Sequence, residues 1–547
     1  MTLDEAAARD LLPALDGLVG VAACPAGFGV ATADGAWAVD AHPGLLALVP
    51  GRLVWWRAAT TAAPLVALGV RPRACWDLGA VARLLHGTGR DDPAAVWAAQ
   101  RGTDAPPPAH GELSLLELDD GSGPVRADGG LSPEWARERF DDAAATARWA
   151  ALALEVQAAQ AEALAALPDP RPAPAGLPLA LLTAYAESAA ALLAVELGHD
   201  GLPVDRARLT GLLTEAVGPP GTPRAERDAP VLALLGEPVD LRNPLLLREA
   251  LTARGLDLPD TRSWRLEPHR STSPLVAALL DWRRAERLAT TYGWGWVAAH
   301  VGADDRLRGT WTAAEGAGRM TASAGLHNLP ADLRPGVAAA PGHVLVRADL
   351  GQVEPRVLAV VSGDAGLAAA ARQDDLYTPV AAALGVERPV AKVAVLAAMY
   401  GQTSGTAGAA LQRMERAYPQ ALAFLRAAEE AGRVGTDLRT WGGRLLRLAP
   451  GGHGRYARNA VVQGAAAELF KVWAVTVRAR LLQERRGEVV LCLHDELLLH
   501  VPQDGADAAV ALVHDALAEA AGRCAAGSAV RFVADVAVVH RWSDAKG

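Results

Sequence analysis

Three short segments hold residue types whose spacing suits phosphoryl chemistry. The first is LVRADLGQVEPRVLAVVSGD, residues 345–364. Its apolar start reads as a short strand delivering Asp349 at its end, followed by a helix with Pro355 in the first turn, where proline is tolerated. The second is EVVLCLHDELLLHVP, residues 488–502, in which two apolar runs flank His494, Asp495 and Glu496. That pattern predicts a β-hairpin with carboxylates at its tip, where Asn-Gly or Asp-Gly would be usual. The third is RPVAKVAVLAAMYG, residues 388–401, which sets Arg388, Lys392, Leu396 and Tyr400 at four-residue intervals on one helical face.

Two strand-borne aspartates suit Mg²⁺, which favours carboxylates together with substrate phosphates. A pair of such ions, roughly 3.5–4 Å apart, assists in-line displacement at phosphorus. Arg388 and Lys392, one turn apart, form a natural triphosphate clamp. Lysine suits a group that must also release a proton, since arginine effectively does not. The choice is notable because lysine occurs only at 392, 471 and 546 in this arginine-rich chain. Two further segments are weaker signals, and a solvated polar face would explain either. GRMTASAGLHNLP, residues 318–330, is a polar loop with Arg319 and Asn328. RYARNAVVQGAAAELF, residues 455–470, places Arg455, Asn459 and Gln463 on one face, as minor-groove contacts require.

The elements that must position these residues divide the chain. At 547 residues, two to four domains are expected. Half the residues are apolar, and the net charge of −9 requires any nucleic-acid contact to come from local arginine clusters. Residues 1–167 alternate strand-like runs (LVGVAAC, GVATA, WAVDA) with helical stretches at 80–85 and 143–167; residues 106–108 sit in a loop. Five prolines between 168 and 178 mark a linker. Residues 179–300 read as helical, broken at GHDGLPVD, and 301–547 mix strands and helices. The four cysteines are far apart and suggest neither a zinc site nor a disulfide scaffold. The N-terminus lacks a signal peptide's basic residues. Residues 177–197, interrupted by Glu187 and Glu196, read as a buried helix instead of a membrane span. A cytoplasmic, monomeric protein without a membrane partner is expected.

Taken together and in order, the five segments resemble the polymerase region of family A DNA polymerases, the DNA polymerase I type, from about Ala189 to the C-terminus. The resemblance implies a multidomain α/β and α+β fold. A ribonuclease H-like, exonuclease-type domain (1–167) and the linker would precede a right hand, with thumb at 179–300 and palm and fingers at 301–547 (fingers about 385–440). It implies a DNA-directed DNA polymerase acting on template–primer DNA and deoxynucleoside triphosphates, in repair or replication gap filling. Two Mg²⁺ ions, or Mn²⁺, would sit on Asp349 and Asp495. Glu496 would support the metal site and His494 the primer terminus. Arg388 and Lys392 would grip the triphosphate, with Lys392 a general acid for pyrophosphate. Tyr400 and Gly401 would floor the nucleotide pocket beside Gln352 and Leu396, and Glu354 would be the gate against a 2′-hydroxyl. Arg319, Asn328, Arg455, Asn459 and Gln463 would contact DNA near the primer terminus, and Arg283 and Arg287 its backbone.

The chain departs from the family pattern at three places. Leu396 stands where an aromatic is usual, Leu350 follows the first aspartate where tyrosine is common, and His327 replaces glutamine. These imply altered nucleotide selectivity. RACWDLGAVARLLHG, residues 73–87, resembles an exonuclease helix, yet no Asp-x-Glu occurs before residue 170, no tyrosine before Tyr185, and no His-x-x-x-Asp at His42, His86 or His110. An exonuclease-like fold without proofreading is therefore expected, and no 5′ nuclease domain. The alternatives are an active proofreading enzyme, a non-catalytic DNA-binding scaffold, and a single-subunit RNA polymerase, which Glu354 disfavours.

Overall fold

The computed structural model describes residues 2–106, 123–401 and 406–545. Pro107, Pro108, His110 and residues 402–405 of the expected fingers lie outside the described residues. The chain forms two compact units. The first comprises Met1–Gly201, Thr310–Ala322 and Gly342–Val539; the second comprises Leu202–Gly309, Ser323–Pro341 and His540–Gly547.

The first unit begins with a six-stranded sheet of β1 (Thr2–Leu3), β2 (Leu18–Cys24), β3 (Gly27–Thr32), β4 (Gly35–Val39), β5 (Arg52–Trp55) and β6 (Cys75–Asp77), in the order β1-β4-β3-β2-β5-β6. The three expected strands are the antiparallel meander β2-β3-β4. Alternation in β5 sends Leu53 and Trp55 into one core and Val54 into the other, as a sheet covered on both faces demands. Helix α1 (Ala58–Ala67) contributes to the first core and α2 (Leu78–His86) to the second. Helix α3 (Ala143–Ala165) lies close against the sheet. A Cβ on Gly29 would fall 2.2 Å from the backbone nitrogen of Ala147 in α3, so that position requires glycine.

Two expectations about the following segment change. The proline-rich stretch 168–178 is irregular but anchored. Arg171 is buried, pairs with Asp169 at 2.6 Å, and donates to the carbonyls of Leu177 and Arg523, each at 2.8 Å. A guanidinium with that many donors ties down a segment whose prolines cannot. Helix α4 (Leu179–Asp200), expected to open the thumb, lies instead in the first unit. Its two interior glutamates explain this. Lys471 donates to both carboxylate oxygens of Glu187 at 2.7 Å, Arg444 pairs with the same carboxylate at 2.7 Å, and Glu196 pairs with Arg478 at 2.6 and 2.5 Å, all buried. Burial raises the Glu187 carboxyl, but Arg444 and Lys471 outweigh it and hold it below the usual range. The lysine at 471 therefore serves the core. Helix α4 and the later helix Gly454–Glu484 are long and apolar enough to cross a membrane, and both are mostly buried within the fold.

In the second unit the main helix is α5 (Pro274–Thr291), whose Val276, Leu279 and Leu280 pack with Val231, Leu235, Leu247 and Leu266. Arg242 links Asp228 at 2.9 Å to Glu286 at 2.8 Å, and Trp282 donates to Asp228 at 2.8 Å.

The rest of the first unit is built on β7 (Trp311–Glu315), β8 (Arg319–Ala322), β9 (His343–Leu350), β10 (Glu488–Leu493), β11 (Glu496–Pro502) and β12 (Ala534–Val539). The last four form an antiparallel sheet in the order β10-β11-β9-β12. Its helices include α6 (Val353–Ser362), α7 (Arg388–Tyr400), α8 (Pro419–Val434), α9 (Gly454–Glu484) and α10 (Ala506–Cys524). This mixed helix-and-sheet, multidomain architecture agrees with the expected fold class.

Candidate active site

Strand β9 is almost wholly buried, yet its penultimate residue, Asp349, is half-exposed. In register it lies opposite Glu496 on β11 and Asp535 on β12. The expected hairpin is present, with His494 and Asp495 as its two-residue turn. Glu496 lies not at the tip but in β11, where it is buried. His494 adopts φ 55°, an uncommon conformation for a side chain other than glycine. The turn is tied to β9 by the Leu350 amide donating to the Asp495 carbonyl at 2.8 Å. Asp349 and Asp495, 146 residues apart in sequence, are therefore brought to one sheet end by strand pairing. Burial raises the Asp495 carboxyl above the usual range, and the charges of Glu354 and Glu496 push the same way.

Helix α6 begins immediately after β9, capped by Gln352 at φ 56°. Glu354 in its first turn accepts from Arg319 at 2.6 Å through one carboxylate oxygen and from the Tyr400 hydroxyl at 2.9 Å through the other. Burial and the neighbouring Glu354 push the Tyr400 phenol up to about 12. The predicted face of α7 is real: Arg388 and Lys392 are exposed, while Leu396 and Tyr400 are half-buried. Gly401 closes α7 at φ 66°, the left-handed cap that glycine favours. Arg458 of α9 holds this end by donating to the Ala398 carbonyl at 2.8 Å and to Glu429 of α8 at 2.6 Å. A cavity of about 340 Å³ is lined by Arg319, Gln352, Glu354, Leu396, Tyr400, Gln463, His494 and Asp495 among others. On α9, Arg455 is exposed and Asn459 and Gln463 are half-buried, so the polar stripe exists.

Other expected residues have partners that sequence did not reveal. Arg388 forms a two-pronged ion pair with Asp375 at 2.7 and 2.9 Å. Asp375 also accepts from Gln352 at 2.8 Å, and these bonds hold its carboxyl well below the usual carboxylate range. Arg283, Arg287 and Asn328 belong to the second unit. There Arg287 and Asn328 are exposed, whereas Arg283 is engaged with the carbonyl and, at 3.0 Å, the hydroxyl of Thr261.

Three functional candidates escaped the sequence reading. Arg347, buried, bonds to Asp349 and, at 3.0 Å, to Glu496, and lies 3.5 Å from Asp535. Its signal was a charge two residues before Asp349, hence on the same strand face. Asp535 could be found only through strand pairing. Arg356, fully buried, donates to the carbonyls of Gly351, Ala371, Gln373, Asp374 and Arg531 at 2.5–3.1 Å, fastening α6 to the loop before Asp375.

Among the described residues no group of three or more His, Cys, Asp and Glu side chains forms a metal cage. Two half-buried aspartates suit Mg²⁺ nonetheless, because that ion takes one or two carboxylates and completes its shell with water and substrate phosphates.

The profile of DNA polymerase family A matches residues 236–544, more than half of the chain. The chain belongs to DNA polymerase family A. Relatives include the thermostable DNA polymerase I of Thermus thermophilus, 31% identical over 46% of this chain and 35% of that protein. That of Thermus filiformis is 29% identical over 48% and 36%, and DNA polymerase I of Deinococcus radiodurans 26% over 57% and 37%. The chain thus spans little more than a third of these family A proteins' length. Among solved structures, the POL domain of Pol1 from M. smegmatis, in complex with DNA primer-template and dNTP, superposes with a TM-score of 0.69 at 20% identity, covering 99% of both chains. The fold of that POL domain therefore covers nearly the whole chain, including the N-terminal sheet.

Proposed function

We propose that the chain is a DNA-directed DNA polymerase that extends a primer 3′-hydroxyl on a template with deoxynucleoside triphosphates. The observation that carries this reading is the pairing of β9 with the β10–β11 hairpin, which brings Asp349 to the same sheet end as Asp495, a residue that lines the cavity with Glu354, Tyr400 and Arg319. Asp349 and Asp495 would hold two Mg²⁺ ions (or Mn²⁺), which would supply charge neutralisation for in-line displacement at phosphorus. Arg388 exchanges Asp375 for phosphate oxygens, and Lys392, one turn along, neutralises the triphosphate and gives a proton to departing pyrophosphate. Glu354, held by Arg319 and Tyr400, bars a 2′-hydroxyl, while Gln352 and Leu396 border the sugar and Tyr400 and Gly401 the base. His494 steadies the primer end, Glu496 supports Asp349, and Arg455, Asn459 and Gln463 offer minor-groove contacts. In the second unit, read as the thumb, Arg287 and Asn328 face DNA; Arg283, tied to Thr261, acts through its packing.

The reading includes no proofreading. Strand β2 carries LVGVAAC without a carboxylate, and the buried Asp77 is consumed in capping α2 and accepting from Trp55 at 3.1 Å. Gap filling in repair or replication fits such an enzyme.

A labelled primer on a longer template tests both parts. Stepwise extension with Mg²⁺ and deoxynucleotides, an intact primer without nucleotides, and loss of extension with retained DNA binding in Asp349→Ala and Asp495→Ala are expected. Extension at the original rate by both variants would overturn the assignment.

A further inference from the structure

Arg347 is a buried basic side chain bonded into the carboxylate group at the end of β9. Strand alternation points it to the same side as Asp349, and strand pairing brings Glu496 and Asp535 to either side. Its guanidinium bonds to one oxygen of Asp349 and, at 3.0 Å, to Glu496, and its other nitrogen approaches Asp535 at 3.5 Å. The side chain is 4% exposed, so solvent screens its charge little. Asp495 adds a further carboxylate on the adjoining turn.

We propose that Arg347 is a built-in counter-ion that weakens divalent-cation binding at Asp349, so that a cation binds firmly only when a nucleotide's phosphates add negative charge and ligands. The inference rests on the polymerase reading of the site. Two physical effects support it. A cation seated at Asp349 would meet a fixed positive charge a few ångströms away in a poorly screened setting. It would also have to share a carboxylate already engaged by a strong charge-assisted bond. A residue that only steadied Asp349 would act in the opposite direction, since its loss would loosen the ligand and weaken binding.

The test is Mn²⁺ binding to the full chain, followed by calorimetry and by the Mn²⁺ spin-resonance signal, without DNA or nucleotide. Arg347→Met removes the charge, and Arg347→Gln removes it while retaining a hydrogen-bond donor, so Arg347→Gln decides should the methionine variant not fold. Both are expected to bind Mn²⁺ about tenfold tighter or more than the parent, and Arg347→Lys within about threefold of it. Unchanged or weaker binding in Arg347→Gln would overturn the inference while leaving the polymerase reading intact if the parent extends a primer. A parent that neither binds Mn²⁺ nor extends a primer would refute both.

Discussion

Glu354 is the residue whose replacement should change sugar selection. Its carboxylate is held at both oxygens, by Arg319 at 2.6 Å and by the Tyr400 hydroxyl at 2.9 Å. To admit a ribose 2′-hydroxyl it must swing aside and give up at least one of these bonds. A hydrogen bond to a charged group contributes about 1.5–3 kcal/mol, which corresponds to roughly 10- to 150-fold in relative incorporation. The Arg319 side chain is 33% exposed, so solvent partly replaces its bond and the lower part of that range applies, about 10- to 30-fold. Glu354→Ala removes the obstruction altogether. The assay is single-nucleotide insertion with a deoxynucleotide and the matching ribonucleotide, read as the ratio of their kcat/KM values. That ratio should fall by about 10- to 30-fold in Glu354→Ala. Tyr400→Phe, which leaves the Arg319 bond in place, should lower it less. A ratio unchanged in Glu354→Ala would refute the gate, and an equal loss with both nucleotides would assign Glu354 to catalysis without selection.

Lys471→Met should destabilise the fold by about 3–5 kcal/mol, because Glu187 would be left buried with Arg444 alone; the shift in urea midpoint checks this. Burial raises the Glu468 carboxyl to about 7, so its proton is held on folding; this contribution to stability is full below about pH 4.5 and is lost as pH rises through about 7. Glu468→Gln should therefore remove part of the decline in unfolding free energy between about pH 5 and about pH 8, and an identical decline would contradict the assignment. Arg171→Ala should release the segment 168–178, and limited proteolysis should cut there faster than in the parent.

Local order was legible because it is written in short-range pattern. Short apolar runs marked β2–β4, four-residue spacing marked the working face of α7, and the apolar runs around His494 and Asp495 marked the hairpin. Residue chemistry also nominated Asp349, Asp495, Lys392 and Arg388, since few side chains can hold a hard cation or a triphosphate, whereas Glu354 was implied only by the family resemblance. Partnership was not legible, because it depends on residues distant in sequence. Glu187 and Glu196 read as interruptions of an apolar helix, yet folding pairs them with Lys471 and Arg478, 284 and 282 residues away. The same pairing moved α4 out of the expected thumb and turned a lysine suggestive of chemistry into part of the core. Likewise Arg347 and Asp535 acquire their place beside Asp349 only when β9 lies between β11 and β12. The sequence by itself determined which elements form and which side chains are chemically equipped; the tertiary structure decided which charges meet, because the electrostatic energy of a charge depends on its neighbours in space and on burial, and neither is a property of spacing along the chain.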